Sequence, residues 1–227
     1  MFKYRFFQVI LAIAVVMLIV SSAVFISFQG VNISEAEYTS EMTGRTFESD
    51  GADGSETALT EFEAWLEYGI IADGLKENGN NVDFDKGNVK LCDYNLTQLR
   101  QLKKVKDEAK RMMFLSVILL IIGFLAVKKR RMYECVVWGG VAASVIGLIS
   151  LILLAVSGSG IFYGVREMVF KGRYDVFFSG DDRLIALIPD NLGLRMFLIY
   201  TGVILAGLVI TIIVRLISWR KTQPHKF

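Results

Sequence analysis

The sequence predicts an all-α membrane protein of four transmembrane helices, with a small, mostly helical outer domain between the first two. Of its 227 residues 53% are hydrophobic, more than a soluble core of this size needs. Four apolar runs approach the ~20 residues that a helix needs to cross ~30 Å of hydrocarbon. The formal net charge is only +2, yet Lys and Arg gather in short segments that fall on one side of a four-pass arrangement.

The first run, Phe6 to Phe28, follows a basic start at Lys3 and Arg5. It is longer than the ~7–15 residues of a secretory-signal core and no Ala-x-Ala site follows, so it reads as a retained helix. The second, Met112 to Val127, is short for a span. Lys110 and Arg111 before it and Lys128 to Arg131 after it can extend their stems to make up the length. The third runs from Cys135 to Val156 and the fourth from Leu194 to Trp219. None has a charge at its centre, and Arg215 lies near the end of the fourth, where it can snorkel to the headgroups.

Orientation follows from the basic segments. Lys3 and Arg5, the Lys128–Arg131 cluster, and Arg220, Lys221 and Lys226 share one side, which places both termini in the cytoplasm and the chain in the cell membrane. Trp138 and Trp219 then sit near the inner interface. Arg100, Lys103, Lys104, Lys106, Lys110 and Arg111 oppose this scheme from the outer side. Reversing the protein would expose three basic segments to bring that one inside, so the orientation stands.

The outer domain spans residues 29–111. Its first half is acidic, and Glu48-Ser-Asp-Gly-Ala-Asp-Gly-Ser55 reads as a flexible loop. Thr60-x-x-Glu63 fits a capping box, with Phe62, Trp65 and Leu66 on one helical face and Gly69 as the stop. A Gly/Asn-rich linker, Gly74 to Asn81, follows. Leu96, Leu99, Leu102 and Val105 recur every three residues as an apolar stripe leading into the second membrane helix. Either the helix lies along the outer leaflet with its lysines on anionic headgroups, or the stripe packs on the Trp65 helix and the charges are solvated.

The second outer loop, residues 157–193, mixes Phe162, Tyr163, Phe170, Tyr174, Phe177 and Phe178 with Arg166, Lys171, Arg173, Asp175, Asp181 and Asp182. That mixture suits an interfacial segment. Leu184 to Ile188 is too short to span and Pro189 ends it.

Most site chemistry is excluded. The sole histidine, His225, is third from the end of the cytoplasmic tail, which removes an imidazole mechanism on the outer side. Cys92 is outside and Cys135 near the inner face, so they cannot pair within one chain. There is no glycine-rich phosphate loop and no zinc spacing. No cofactor, metal or nucleic-acid partner is expected, and membrane lipids are the expected surroundings.

In the second loop, Phe170, the stretch around Tyr174-Asp175, and Asp182-Arg-Leu-Ile-Ala-Leu-Ile-Pro189 are arranged like an Asp-x-Leu-Ile-x-Leu-x-Pro signature before a last helix. Gln101-Leu-Lys-Lys-Val105-Lys106 is placed like a His-x-x-Asp-Val segment before a second one. With four helices, a large first outer loop and an aromatic second one, the chain resembles the lipoprotein intramolecular transacylases of Gram-positive bacterial membranes. The resemblance implies transfer of an ester-linked acyl chain from a lipoprotein's diacylglyceryl group to its N-terminal amine, with a diacylated lipoprotein as partner. It also marks departures. Gln101 stands where the family has histidine and Lys104 where it has aspartate. A second histidine aligns with Arg166, or with Tyr163 if three residues are inserted.

The reaction needs a base for the amine proton and donors for the oxyanion. Gln101 donates but is no base. Lys104 or Arg166 would hold negative charge, and Asp175 or Asp182 would accept the proton, with Asp182 alternatively a cap for the segment 184–188. Two readings stay open: a transacylase using these residues, and a non-catalytic lipid- or partner-binding protein of the same fold. Claudins and tetraspanins are disfavoured, because Trp-Gly-Leu-Trp, paired cysteines and Cys-Cys-Gly are missing.

Overall fold

The computed structural model describes residues 2–50, 56–77, 83–84, 86–126, 129–155, 183–189 and 191–222. Along the chain come α1 (Phe2–Ser27), a 3-10 turn (Phe28–Val31), α2 (Glu35–Met42), strands β1 (Phe47–Asp50) and β2 (Glu56–Leu59), α3 (Glu61–Lys76), α4 (Asp93–Ala126), α5 (Lys129–Ala155), the short α6 (Arg183–Leu187) and α7 (Leu192–Thr222). The numbering covers described residues only. They form two compact units. The membrane unit comprises Met1–Ile26, Glu108–Ala155 and Leu198–Phe227, and the loop unit comprises Ser27–Asp107 and Val156–Phe197.

Among the described residues four helical segments are long and apolar enough to cross a membrane: Phe6–Val31, Asn95–Ala126, Tyr133–Ser150 and Leu192–Ser218. The chain is a multi-pass membrane protein. Met112 to Val127 is short as an apolar run, but up to Ala126 it is the C-terminal part of the 34-residue α4, which supplies the missing length. Large apolar side chains such as Ile121, Leu125, Ile149, Leu198 and Ile210 are exposed on the membrane unit, as lipid-facing residues are.

Close packing falls at glycines. A Cβ added to Gly139 would lie 2.6 Å from Val15 Cβ and 2.7 Å from the Ala12 carbonyl oxygen of α1. One added to Gly140 would overlap Thr211 Oγ1 of α7. Apolar burial cannot draw helices together in lipid, so small residues that admit a neighbouring backbone matter most. Ser116, Ser144 and Thr211 return their hydroxyls to the carbonyl four residues back, which satisfies them without a partner helix.

In the loop unit α3 begins at the expected capping box. Thr60 N–H donates to Glu63 Oε2 at 2.8 Å and Glu63 N–H to Thr60 Oγ1 at 3.3 Å. Gly69 does not stop the helix, which continues to Lys76. Glycine ends a helix by turning left-handed, and among the described residues only Gly44 does so, at φ 86° after α2. The apolar residues that share a face at the start of α3 are not its buried face. Phe62 and Leu66 are exposed, while Ala64, Glu67, Tyr68, Ile71, Ala72 and Leu75 are buried. Polar tips decide this face: Tyr68 finds the Val31 carbonyl oxygen, and the Glu67 carboxylate accepts the Asn88 and Val89 amides at 2.8 and 3.4 Å.

The stretch read as a flexible loop contains strand instead. Phe47–Asp50 pairs antiparallel with Glu56–Leu59, from Phe47 opposite Leu59 to Asp50 opposite Glu56. Phe47 is 3% exposed and anchors the hairpin in the core. Gly51 to Ser55 lie outside the described residues. α6 packs on α3 and β1, with Leu184 and Leu187 buried and Pro189 just beyond its end.

The three-residue stripe on α4 is only partly a face. A helix turns about 100° per residue, so a spacing of three slips about 60° each step and Val105 ends roughly opposite Leu96. Leu96 and Leu99 are buried and Val105 is exposed. The face continues instead through Lys103 and Lys106, 5% and 2% exposed, whose ammonium groups donate to carbonyls at the end of α3. These two lysines are therefore neither on headgroups nor merely solvated.

Candidate functional site

A polar cluster in the loop unit is built around α2. Glu37 and Glu41 are four residues apart and so share a face, with Tyr38 and Met42 buried beside them. Tyr38 Oη donates to the Leu187 carbonyl oxygen at 2.9 Å, and Arg45 Nη1 to that of Ile188 at 3.5 Å. These carbonyls end α6, where no intrahelical donor remains. The Tyr38 ring lies against the Tyr68 ring of α3, centroids 5.3 Å apart, and Tyr68 Oη donates to the Val31 carbonyl oxygen at 2.5 Å.

Arg195 completes the cluster from the first turn of α7. A cation there opposes the helix dipole and calls for a carboxylate, and Arg195 Nη2 lies 2.7 Å from Glu37 Oε1. Two complementary atoms are left over. Glu41 Oε2, an acceptor, and Arg195 Nη1, a donor, are buried and have no hydrogen-bond partner among the described residues.

Burial pushes the Tyr68 phenol well above its ordinary 10.0; Arg195 pulls it back, and Tyr38 and Glu41 push it further up. The Tyr38 phenol is also raised by burial, against Arg45. Both phenols thus stay protonated near neutrality, their protons committed to backbone carbonyls. The arrangement combines an unused carboxylate oxygen with an unused guanidinium N–H, chemistry that suits a ligand carrying both a proton to give and an oxygen to be held.

Of the residues expected from sequence, Gln101 and Lys104 stand one turn apart on α4, the first half-buried and the second exposed. Arg166, Asp175 and Asp182 lie outside the described residues, as does His225. Of the five, only Gln101 and Lys104 fall among the described residues. Among the described residues no group of three or more His, Cys, Asp and Glu could hold a metal ion.

No protein-family model matches the chain, and no curated protein matches its sequence. Solved structures do match. The membrane integral lipoprotein intramolecular transacylase Lit from Bacillus cereus aligns with a TM-score of 0.71 at 12% identity, covering 97% of each chain. Structures of the same protein with a histidine replaced by arginine or by alanine give TM-scores of 0.69 and 0.68 at 12% and 13% identity. These cover 97% of this chain and 93% and 96% of theirs. The chain has the Lit fold. At such low identity the shared layout survives mainly in where apolar helices and polar loops fall.

Sequence reasoning passed over Tyr38, Tyr68 and Arg195, and it counted Glu37 and Glu41 only as part of an acidic stretch. One signal was available for Arg195. An arginine at the start of an apolar helix is unfavourable in its dipole and needs a partner.

Proposed function

We propose that this protein is a membrane acyltransferase that moves an ester-linked acyl chain from a lipoprotein's diacylglyceryl group to the same lipoprotein's N-terminal amine. The Lit fold over 97% of both chains is the observation that carries the reading. The loop unit faces the outside, the termini the cytoplasm, and a diacylated lipoprotein embedded in the surrounding lipid is the substrate.

With His225 as the sole histidine, a carboxylate takes the part of the base. Asp175 and Asp182 are the candidates in the second outer segment, with Arg166, Gln101 and Lys104 as donors toward the oxyanion. The amine nitrogen bonds to the ester carbonyl carbon, the base takes the amine proton, and the carbon–oxygen bond to glycerol breaks as that oxygen regains a proton. No co-reactant is consumed.

The test is expression in a host without its own lipoprotein N-acylation, followed by mass spectrometry of a reporter lipoprotein's N-terminal peptide. Lyso-form product from the parent chain is expected. Loss of product in Asp175→Asn, at unchanged membrane level, would assign the base to that residue. A reporter left wholly unconverted by well-expressed parent chain would refute the acyltransferase reading.

A further inference from the structure

We propose that Glu41 and Arg195 are the catalytic pair of this acyl transfer, with Glu41 Oε2 taking the amine proton and Arg195 Nη1 holding the oxyanion. The inference rests on the acyltransferase reading above. It puts the base on α2 rather than in the second outer segment.

Four observations support the pair. Both atoms are buried and have no hydrogen-bond partner among the described residues, and an unmet buried donor or acceptor is costly unless a ligand meets it. Glu37 occupies the other arm of Arg195 at 2.7 Å, which fixes the guanidinium while leaving Nη1 available. Glu41 is one helical turn from Glu37, so it shares the face toward Arg195. The Tyr38 ring of α2 packs on the Tyr68 ring of α3, centroids 5.3 Å apart, which holds α2 in place within the cluster.

The neighbours leave the assignment to these two atoms. Glu37 is engaged by Arg195, and the Tyr38 and Tyr68 phenols spend their protons on the Leu187 and Val31 carbonyls. Arg45 is turned to the Ile188 carbonyl. The amine nitrogen attacks the ester carbonyl carbon as its proton passes to Glu41 Oε2. Arg195 Nη1 donates to the carbonyl oxygen as negative charge builds there. Collapse breaks the bond to the glyceryl oxygen, and Glu41 returns the proton to that oxygen as it leaves. The carboxylate ends as it began.

A structural ion-pair cluster tying α2 to α7 is the competing account, and the variants separate the two. The full chain in detergent micelles, with a synthetic lipopeptide carrying a diacylglyceryl cysteine, gives kcat, KM and Tm. Glu41→Gln is expected to lower kcat by about 100-fold or more at near-parental KM and Tm, with Glu41→Asp recovering part of it. Arg195→Lys keeps a charge for Glu37 but loses the second N–H, and is expected to lower kcat by about 100-fold. A Glu41→Gln protein within about twofold of an active parent overturns the pair and leaves acyl transfer standing. Tm loss in Glu41→Gln with parental kcat in the folded fraction assigns Glu41 to structure and also overturns it. An inactive parent overturns the acyltransferase reading and the pair with it.

Discussion

Lys106 Nζ donates to the Leu75 carbonyl oxygen at 2.7 Å, and also to those of Lys76 and Glu77 at 2.7 and 3.0 Å. Lys103 Nζ reaches Gly74 and Glu77 at 3.3 and 2.6 Å. Two ammonium groups from α4 thus cap the end of α3, where the helix dipole is negative and carbonyls lack intrahelical donors.

Lys106→Met should therefore destabilise the protein by about 2 kcal/mol, since it leaves buried carbonyls unmet. Lys104→Met, two residues away at an exposed position, should stay within about 0.5 kcal/mol of the parent. Unfolding followed by circular dichroism in detergent compares them. Equal losses in both variants would show that the cap carries no special weight.

The same lysines show where sequence reading stops. Four apolar runs, a capping box and a proline after the 184–188 segment were legible because length, local spacing and a missing N–H act within a few residues. The fate of Lys103 and Lys106 was not legible, because their partners lie roughly 30 residues away on another helix. Which face of α3 is buried was not legible for a similar reason. Phe62 and Leu66 share a face but stay exposed, while Tyr68 and Glu67 turn inward to partners that no local pattern announces. Of the site, the acidic face of α2 was visible only as charge, and Arg195 became meaningful once Glu37 stood opposite it.

Helix contact in the membrane unit is tested at Gly139. Its added Cβ would meet the Ala12 backbone oxygen, which cannot rotate away. Gly139→Ala should cost about 1–3 kcal/mol through forced separation of α1 and α5, read as a lower Tm in detergent. Gly202, with nothing within 4 Å of an added Cβ, is the control, and Gly202→Ala should be neutral or slightly stabilising. A parental Tm for Gly139→Ala would mean that α1 and α5 are not closely packed there.

Alkaline pH should loosen the loop unit. The Tyr38 and Tyr68 phenols are raised by burial above their ordinary 10.0, so both states keep these protons below that pH and stability is unaffected there. Above about pH 10 the unfolded chain releases protons that the folded one retains, and stability falls as pH rises. Tyr68→Phe should flatten that decline while losing about 1 kcal/mol at neutral pH with its hydrogen bond to Val31. Stability profiles of parent and variant that run parallel above pH 10 would count against the buried phenol.

Membrane sidedness is open to thiol labelling in intact cells. Cysteines introduced at Ser49 and Ser179 should react with an impermeant reagent, and one at Thr222 should not. Labelling at Thr222 alone would reverse the orientation taken from the basic clusters.

Acyl transfer within one molecule leaves its mass unchanged, so the decisive measurement must locate the chain rather than weigh it. A reporter lipoprotein from cells expressing the parent protein, in a host without N-acylation of its own, is treated with mild alkali, which cleaves esters and spares amides. Tandem mass spectrometry of the N-terminal peptide should then find one acyl chain still attached at the amine nitrogen. Release of both chains from the reporter, with the protein well expressed in the membrane, would contradict the account.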